Sequence, residues 1–238
     1  LSKKLSERHL GAGSDGMIYI SESSIAAFKM RIFNADGSEA KMCGNGIRCV
    51  GKYVYDKGYT DKKFISIETL SGVKYLTLQV AGGKVKTVAV DMGQAKAEKP
   101  INLTVDGETV SLIPVSVGNP HAVIFVDDIE KAPLTKLGPI IEHHEAFPDG
   151  VNVEFVEVLG ADKLRMRVWE RGSGVTMACG TGACASVMAA IAAKLFHYDE
   201  TVSVLLDGGT LKIQIAPDNT VQMTGPAETV YEGETEIC

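Results

Sequence analysis

The sequence predicts an α/β fold of the α+β type, made of two pseudo-symmetric domains that arose by internal duplication. Three observations predict it. First, residues 30–46 (MRIFNADGSEAKMCGNG) are echoed at 166–182 (MRVWERGSGVTMACGTG). Both copies open Met-Arg, a β-branched residue and an aromatic, carry Gly-Ser midway, and end Cys-Gly-x-Gly. The cysteine follows the methionine by 13 residues each time, 43 minus 30 and 179 minus 166. Second, helical patterning follows each Cys-Gly-x-Gly. Third, short alternating runs separated by Gly-rich turns at 64–91 read as an antiparallel meander, and 201–224 gives three more strands. The domains are expected at 1–96, with 227–238 returning to it, and at 97–226.

Taken in order, residues 1–10 read as a short helix with its charges outward. Gly11 to Gly16 fit GxGxxG, but no strand precedes them, so a turn is the better reading than a dinucleotide cradle. Residues 17–20 and 26–33 read as neighbouring strands. The first helix is expected over 46–57, stopped by Gly58. Strands follow at 64–70, 73–80 and 85–91. Residues 93–100 lack periodicity and mark the domain crossing. Strands are then expected at 103–105 and 109–117, a tight Gly/Pro loop holding Asn119 and His121, and a buried strand to 127. Residues 134–144 read as helical. Residues 151–158 alternate, with Val151, Val153 and Phe155 on one face. The second repeat strand is 164–169, and the second helix 182–196, with Val187, Met188, Ile191 and Leu195 on one face. Strands at 201–206, 210–216 and 220–224 close the copy, and 229–237 alternates roughly. Mapping 118–121 back by the 136-residue offset between Cys43 and Cys179 lands before residue 1. The first domain is therefore expected to lack the strand and loop that match 112–127.

Composition narrows the partners. The chain has 238 residues, 45% of them apolar, and a net charge of −6 with no long basic run, which argues against nucleic acid. No apolar run reaches the roughly 18 residues of a membrane span, and LSKKLSERHL has no signal-peptide apolar core. Five cysteines in a chain of this length fit free thiols in a reducing, cytoplasmic location better than a disulfide framework. Cys-x5-Cys and Cys-x4-Cys are not structural zinc spacings, and His143-His144-Glu145 lacks the i, i+4 pair of histidines; no metal is expected. Cys49 and Cys184 are expected in the core, and Cys238 to be inert.

Cys43 and Cys179 are placed at helix N-termini, where the positive end of the dipole favours an anion and a thiol ionises more readily. Two such thiols facing one cleft suit a reaction without a cofactor: one removes a proton from carbon, the other returns a proton to the opposite face. The two helix ends suit a carboxylate and the charge that develops beside it.

The motifs NADGSEAKMCGNGIRC (34–49), GNPHAV (118–123), GVNVEFV (150–156), WERGSGVTMACGTGACA (169–185) and GPAETVYEGE (225–234) resemble the diaminopimelate epimerases, over most of the chain and in the family's order. The resemblance implies two similar domains, each a mostly antiparallel curved sheet around a central helix, with the active site between them. It implies interconversion of LL- and meso-2,6-diaminopimelate, on the route to lysine and peptidoglycan precursors, by an enzyme that needs no pyridoxal phosphate. It makes Cys43 and Cys179 the acid/base thiols, and His121 and Glu170 the residues that tune them. It gives substrate binding to Asn34, Gly44, Asn45, Asn119, Asn152, Glu170, Arg171, Gly180 and Thr181, and dimerisation to Tyr231. Family members begin with a strand and a Gly-Asn-Asp loop that this sequence does not contain. Some carry a substrate-contacting Gln where this chain has Asp15-Gly16, so no site is assigned there. The chemistry of the residues agrees: Arg171 suits a distal carboxylate bidentately, the asparagines suit a zwitterion, and Glu170 suits an ammonium. A proline or hydroxyproline racemase shares the two-thiol layout but carries His where this chain has Asn45. A thiol redox sensor is the alternative outside enzymology.

Overall fold

The structure is a computed structural model, and it describes residues 1–234. The chain forms two compact units, Leu1–Val90 with the tail from Gly225, and Asp91–Thr224.

In the first unit, α1 (Ser2–Ser6) precedes β1 (Gly16–Ser21), β2 (Phe28–Asn34), β3 (Glu39–Ala40), α2 (Gly44–Asp56), β4 (Phe64–Thr69), β5 (Gly72–Ala81) and β6 (Lys84–Gln94). The sheet runs β1-β2-β4-β5-β6, with β3 on β2. All these pairings are antiparallel except β2 with β4, which the helix α2 connects. That is what a helical crossover requires. Helix α2 buries Ile47, Val50 and Val54 and packs on β2 and β5. It ends where Asp56 accepts from Lys52 Nζ at 2.8 Å and from Val85 N at 2.9 Å.

In the second unit follow β7 (Lys96–Ala97), β8 (Ile101–Val105), β9 (Glu108–Ser116), β10 (Pro120–Phe125), α3 (Leu134–Glu142), β11 (Asn152–Gly160), β12 (Lys163–Glu170), β13 (Gly174–Thr176), α4 (Gly180–Ala192), β14 (Thr201–Leu206), β15 (Gly209–Ile215) and β16 (Thr220–Pro226). The order is β16-β15-β14-β12-β11-β10-β9-β7, with β13 on β12 and β8 on β9. The repeat is visible in these pairings. Strand β12 takes β13 antiparallel and β14 parallel, as β2 takes β3 and β4. Helices α2 and α4 both have 13 residues, and both their bounds differ by the same 136 positions.

The copies differ at the other edge. Strand β11 lies between β12 and a parallel β10, whereas β1, its match, ends the order beside β2. Next to β1 is a groove of about 1220 Å³, lined by Ile18, Ile20, Cys49, Tyr53 and the tail at Val230–Tyr231. Cys49 is therefore exposed rather than in the core, while Cys184 is buried as expected. The apolar face of α2 is narrower than its sequence suggests, and position 49 falls just off it. Cys238 lies outside the described residues.

Helix α4 has no exposed face in its first three turns. Apart from the half-buried Thr181, every residue from Gly180 to Ile191 is buried. Its alanines let strands approach on all sides, and it packs on β7, β9, β10, β11, β12 and β15. Leu195, expected on its apolar face, lies past the helix end and is exposed. Helix α3 covers the opposite side of β11, its Leu134, Leu137 and Ile141 sharing a core with Leu112, Val153 and Phe155. Strand β11 is thus buried on both faces, and this encloses its polar residues Asn152 and Glu154.

Candidate active site

Each cysteine is the N-cap of its helix. Cys43 has extended φ/ψ of −139/118 and Cys179 of −117/111. Gly46 N–H donates to Cys43 Sγ at 3.4 Å, and Gly182 N–H to Cys179 Sγ at 3.4 Å. A sulfur at this position answers one of the helix's unpaired donors, as a capping oxygen does.

In the first unit, the turn before Cys43 holds Asn34. Gly37, at φ +85, closes it. Asn34 Nδ2 donates to Ser38 Oγ at 2.9 Å, and the Asp36 carboxylate accepts Ser38 N at 2.8 Å and Oγ at 2.6 Å. The bonds from Ser38 hold the Asp36 carboxyl below the usual carboxylate range. Gly44 and Asn45 form the half-buried first turn of α2. Arg48, absent from the expected set, donates to Gly44 O at 3.0 Å and Pro226 O at 3.1 Å, and so ties this turn to the tail.

In the second unit, Cys179 Sγ also lies 3.6 Å from Thr181 Oγ1. Asn119 Nδ2 donates to Thr181 Oγ1 at 3.3 Å. His121 Nε2 meets Asn119 Oδ1 at 3.1 Å, and its Nδ1 meets Glu154 Oε1 at 2.7 Å. The His121 and Glu154 side chains have no exposed surface. The second Glu154 oxygen, Oε2, has no hydrogen-bond partner among the described residues. Burial is the main force raising the Glu154 carboxyl above the ordinary range, against the opposing pull of His121.

Cys179 departs from expectation. Its thiol is pushed well above the ordinary value, by burial first and then by the neighbouring Glu170 and Glu154 carboxyls. The Thr181 and Gly182 donors act the other way and lose. The helix end therefore does not suffice to ionise a thiol that is almost wholly enclosed and faces two carboxyl groups.

Asn152 is spent on backbone: Nδ2 donates to Pro120 O at 3.0 Å, and Oδ1 accepts Arg171 N at 3.0 Å. It fixes the turn that carries Glu170 and Arg171. The half-buried Glu170 accepts a hydrogen bond from Thr176 Oγ1. Arg171 is exposed, with Nη1 on Asp149 O at 2.9 Å. Glu142, also absent from the expected set, accepts Trp169 Nε1 at 2.6 Å and Gly172 N at 2.7 Å. It secures the same turn from α3. Tyr231 is exposed in the tail, its hydroxyl donating to Ala12 O at 3.1 Å.

Glu154 carried a signal in the sequence. It stands on the face of its strand opposite Val153 and Phe155, beside Asn152, in a run otherwise free of charge from 150 to 156. Subtracting the repeat offset puts Ile18 in the same place in the first copy.

Known proteins share both the sequence and the fold. The sequence profile described as diaminopimelate epimerase matches residues 1–98 and 113–230. The diaminopimelate epimerase of Acetivibrio thermocellus is 50% identical over 251 aligned positions, covering 100% of this chain and 89% of that protein. That of Methanococcus maripaludis is also 50% identical, covering 100% and 90%. Solved structures share the fold at low identity. A Bacillus anthracis phenazine biosynthesis protein of the PhzF family has a TM-score of 0.75 at 16% identity, covering 95% of this chain and 86% of its own. A hydroxyproline epimerase from Agrobacterium vitis has a TM-score of 0.72 at 16% identity, covering 94% and 76%.

Proposed function

The chain belongs to the diaminopimelate epimerase family, and from that premise we infer that it interconverts LL- and meso-2,6-diaminopimelate by moving a proton at one α-carbon. The observation that carries this reading is the pair of capping cysteines, Cys43 and Cys179, each with a helix N–H on its sulfur. An α-proton is removed and returned by groups of thiol type, and we assign those roles to these two residues. We assign substrate binding to the amides of the helix ends, Gly44 and Asn45 in one copy, Gly180 and Thr181 in the other.

The surroundings of Cys179 suggest how substrate activates it. After burial itself, the charge on Glu170 contributes most to keeping the thiol protonated. An ammonium of the substrate beside Glu170 neutralises that charge and lowers the thiol toward ionisation when substrate is present. Arg171 takes the distal carboxylate: one of its donors holds Asp149 O, and the guanidinium has five. Asn34 and Asn119 complete the polar contacts, while Asn152 acts by holding the Arg171 turn. Such a set discriminates against substrates without distal charges, because its polar groups are then left unpaired.

The assembly is a homodimer formed through the tail, where Val230 is 88% and Tyr231 66% exposed. The location is cytoplasmic, which the four free cysteines among the described residues support. No described helix is long and apolar enough to cross a membrane. The test is turnover: the protein epimerises LL-diaminopimelate and leaves L-proline and hydroxyproline unchanged. Turnover of proline alone refutes the assignment. A disulfide that forms and breaks reversibly, in a protein with no epimerase activity when reduced, favours a redox sensor.

A further inference from the structure

We propose that Glu154 is a positioning residue for the reaction at Cys179, holding a proton that fixes the direction of a hydrogen-bond chain through His121, Asn119 and Thr181 so that each donor points toward Cys179 Sγ. This rests on the role given to Cys179 above.

The chain is continuous in one unit. Its links are Glu154 Oε1 to His121 Nδ1 at 2.7 Å, His121 Nε2 to Asn119 Oδ1 at 3.1 Å, Asn119 Nδ2 to Thr181 Oγ1 at 3.3 Å, and Thr181 Oγ1 to Cys179 Sγ at 3.6 Å. Both ring nitrogens of His121 face oxygen. Asn119 Oδ1 can only accept, so His121 Nε2 carries a hydrogen. A single further proton is then needed between Nδ1 and Glu154. With it, Glu154 donates to Nδ1, Nε2–H donates to Asn119, Asn119 Nδ2–H donates to Thr181, and the Thr181 hydroxyl hydrogen is free for the sulfur. Without it, Nδ1–H turns to the carboxylate and Nε2 becomes an acceptor. Asn119 must then flip, Thr181 donates to the amide oxygen, and the sulfur loses a donor.

Two observations say that the proton is held. Glu154 Oε2 is buried with no donor among the described residues, a position tolerable for a carbonyl oxygen and costly for an anion. Burial also shifts Glu154 toward its protonated form. A third says that packing does not demand the carboxyl. In the first copy, Ile18 fills the matching place beneath Gly46, as Glu154 does beneath Gly182. The titratable groups that act on Cys179 are Glu170 from β12 and Glu154 from β11, with His121 from β10 behind Glu154.

The experiment follows the pH dependence of Cys179 alkylation by iodoacetamide, read by mass spectrometry of the Cys179 peptide in the otherwise intact protein. It needs no substrate, so it stands apart from whether the protein epimerises diaminopimelate. Glu154→Ile, which installs the side chain of the first copy, raises the apparent pKa of Cys179 by about one unit, a tenfold loss of thiolate at neutral pH. Glu154→Gln donates to Nδ1 as the acid does, and keeps the parental value. Thr181→Val raises it as Glu154→Ile does, and the double variant goes no further, because both cut one chain. A Glu154→Ile protein with an unchanged or lowered value overturns the proposal, since removing an ionised neighbour lowers a thiol. So does a Glu154→Gln protein that matches Glu154→Ile, or additive shifts in the double variant. In turnover, Glu154→Ile loses kcat with KM held, and Glu154→Gln restores it.

Discussion

Adding one methyl group at the same helical position in the two copies separates a forgiving site from an unforgiving one. In Gly46→Ala the new Cβ meets Ile18 Cδ1 at 2.9 Å, Ile32 Cδ1 at 3.4 Å and Cys43 Cβ at 3.5 Å. The first two are ends of flexible side chains. Displacing them costs about 1 kcal/mol, and Ala gains about 1 kcal/mol over Gly in a helix, so stability stays within about 1 kcal/mol of the parent. In Gly182→Ala the Cβ meets Glu154 Oε1 at 2.7 Å and Cys179 Cβ and Sγ at 3.3 Å. Glu154 has no room to swing, since it is enclosed and bonded to His121 at 2.7 Å. Overpacking costs about 1–3 kcal/mol and the strained bond to a charged or proton-sharing partner about 1.5–3 kcal/mol. Less the helix gain of about 1 kcal/mol, the loss is about 1.5–5 kcal/mol. Urea unfolding at constant m-value reads the stability difference, and kcat/KM for LL-diaminopimelate reads the site. Gly182→Ala is expected to lose at least about tenfold in kcat/KM, the equivalent of roughly 1.4 kcal/mol, while Gly46→Ala changes it only a few-fold. Equal losses in the two variants, or a Gly182→Ala protein with parental stability and turnover, refute the reasoning.

At Glu142, burial opposes ionisation, but the Trp169 and Gly172 donors outweigh it and hold the carboxyl below its ordinary value. A group depressed in the folded state stabilises above its unfolded pKa of about 4.3, and that contribution is lost as pH falls through the folded value. Glu142→Gln is therefore less stable by about 1–2 kcal/mol at pH 7, with the gap closing below about pH 4; thermal melts at both pH values check this. Arg171→Lys keeps the charge but loses the planar fork, and KM for diaminopimelate rises about tenfold with kcat less affected, read by steady-state kinetics. Tyr231→Ala shifts the protein toward monomer in sedimentation velocity, and an unchanged dimer rejects the tail as its interface.

The repeat made the cysteines legible, because two Cys-Gly-x-Gly signatures at one offset constrain each other where a single one does not. The helices begin at Gly44 and Gly180, two residues before the expected starts, because the paired glycines mask a helical first turn. The parallel pairing of β10 with β11 was not readable, since a continuous apolar run carries no sign of its partner's direction. Burial was the main blind spot. Helix periodicity put Cys49 inside, but one edge of the first sheet leaves it open. The rule that helix ends ionise thiols failed at Cys179, because desolvation depends on how many elements enclose a sulfur, and α4 is covered on all sides. Glu142 stayed hidden for the same reason: a carboxyl at a helix end reads as solvated until packing is known.

The central claim is that two thiols exchange one carbon-bound hydrogen with water. LL-diaminopimelate deuterated at the α-carbons, incubated in ordinary water with the enzyme alone, is expected to lose deuterium as the meso form appears. The Cys43→Ser/Cys179→Ser double variant, folded by circular dichroism, is expected to leave the label in place. Label lost at the parental rate from that double variant contradicts the account.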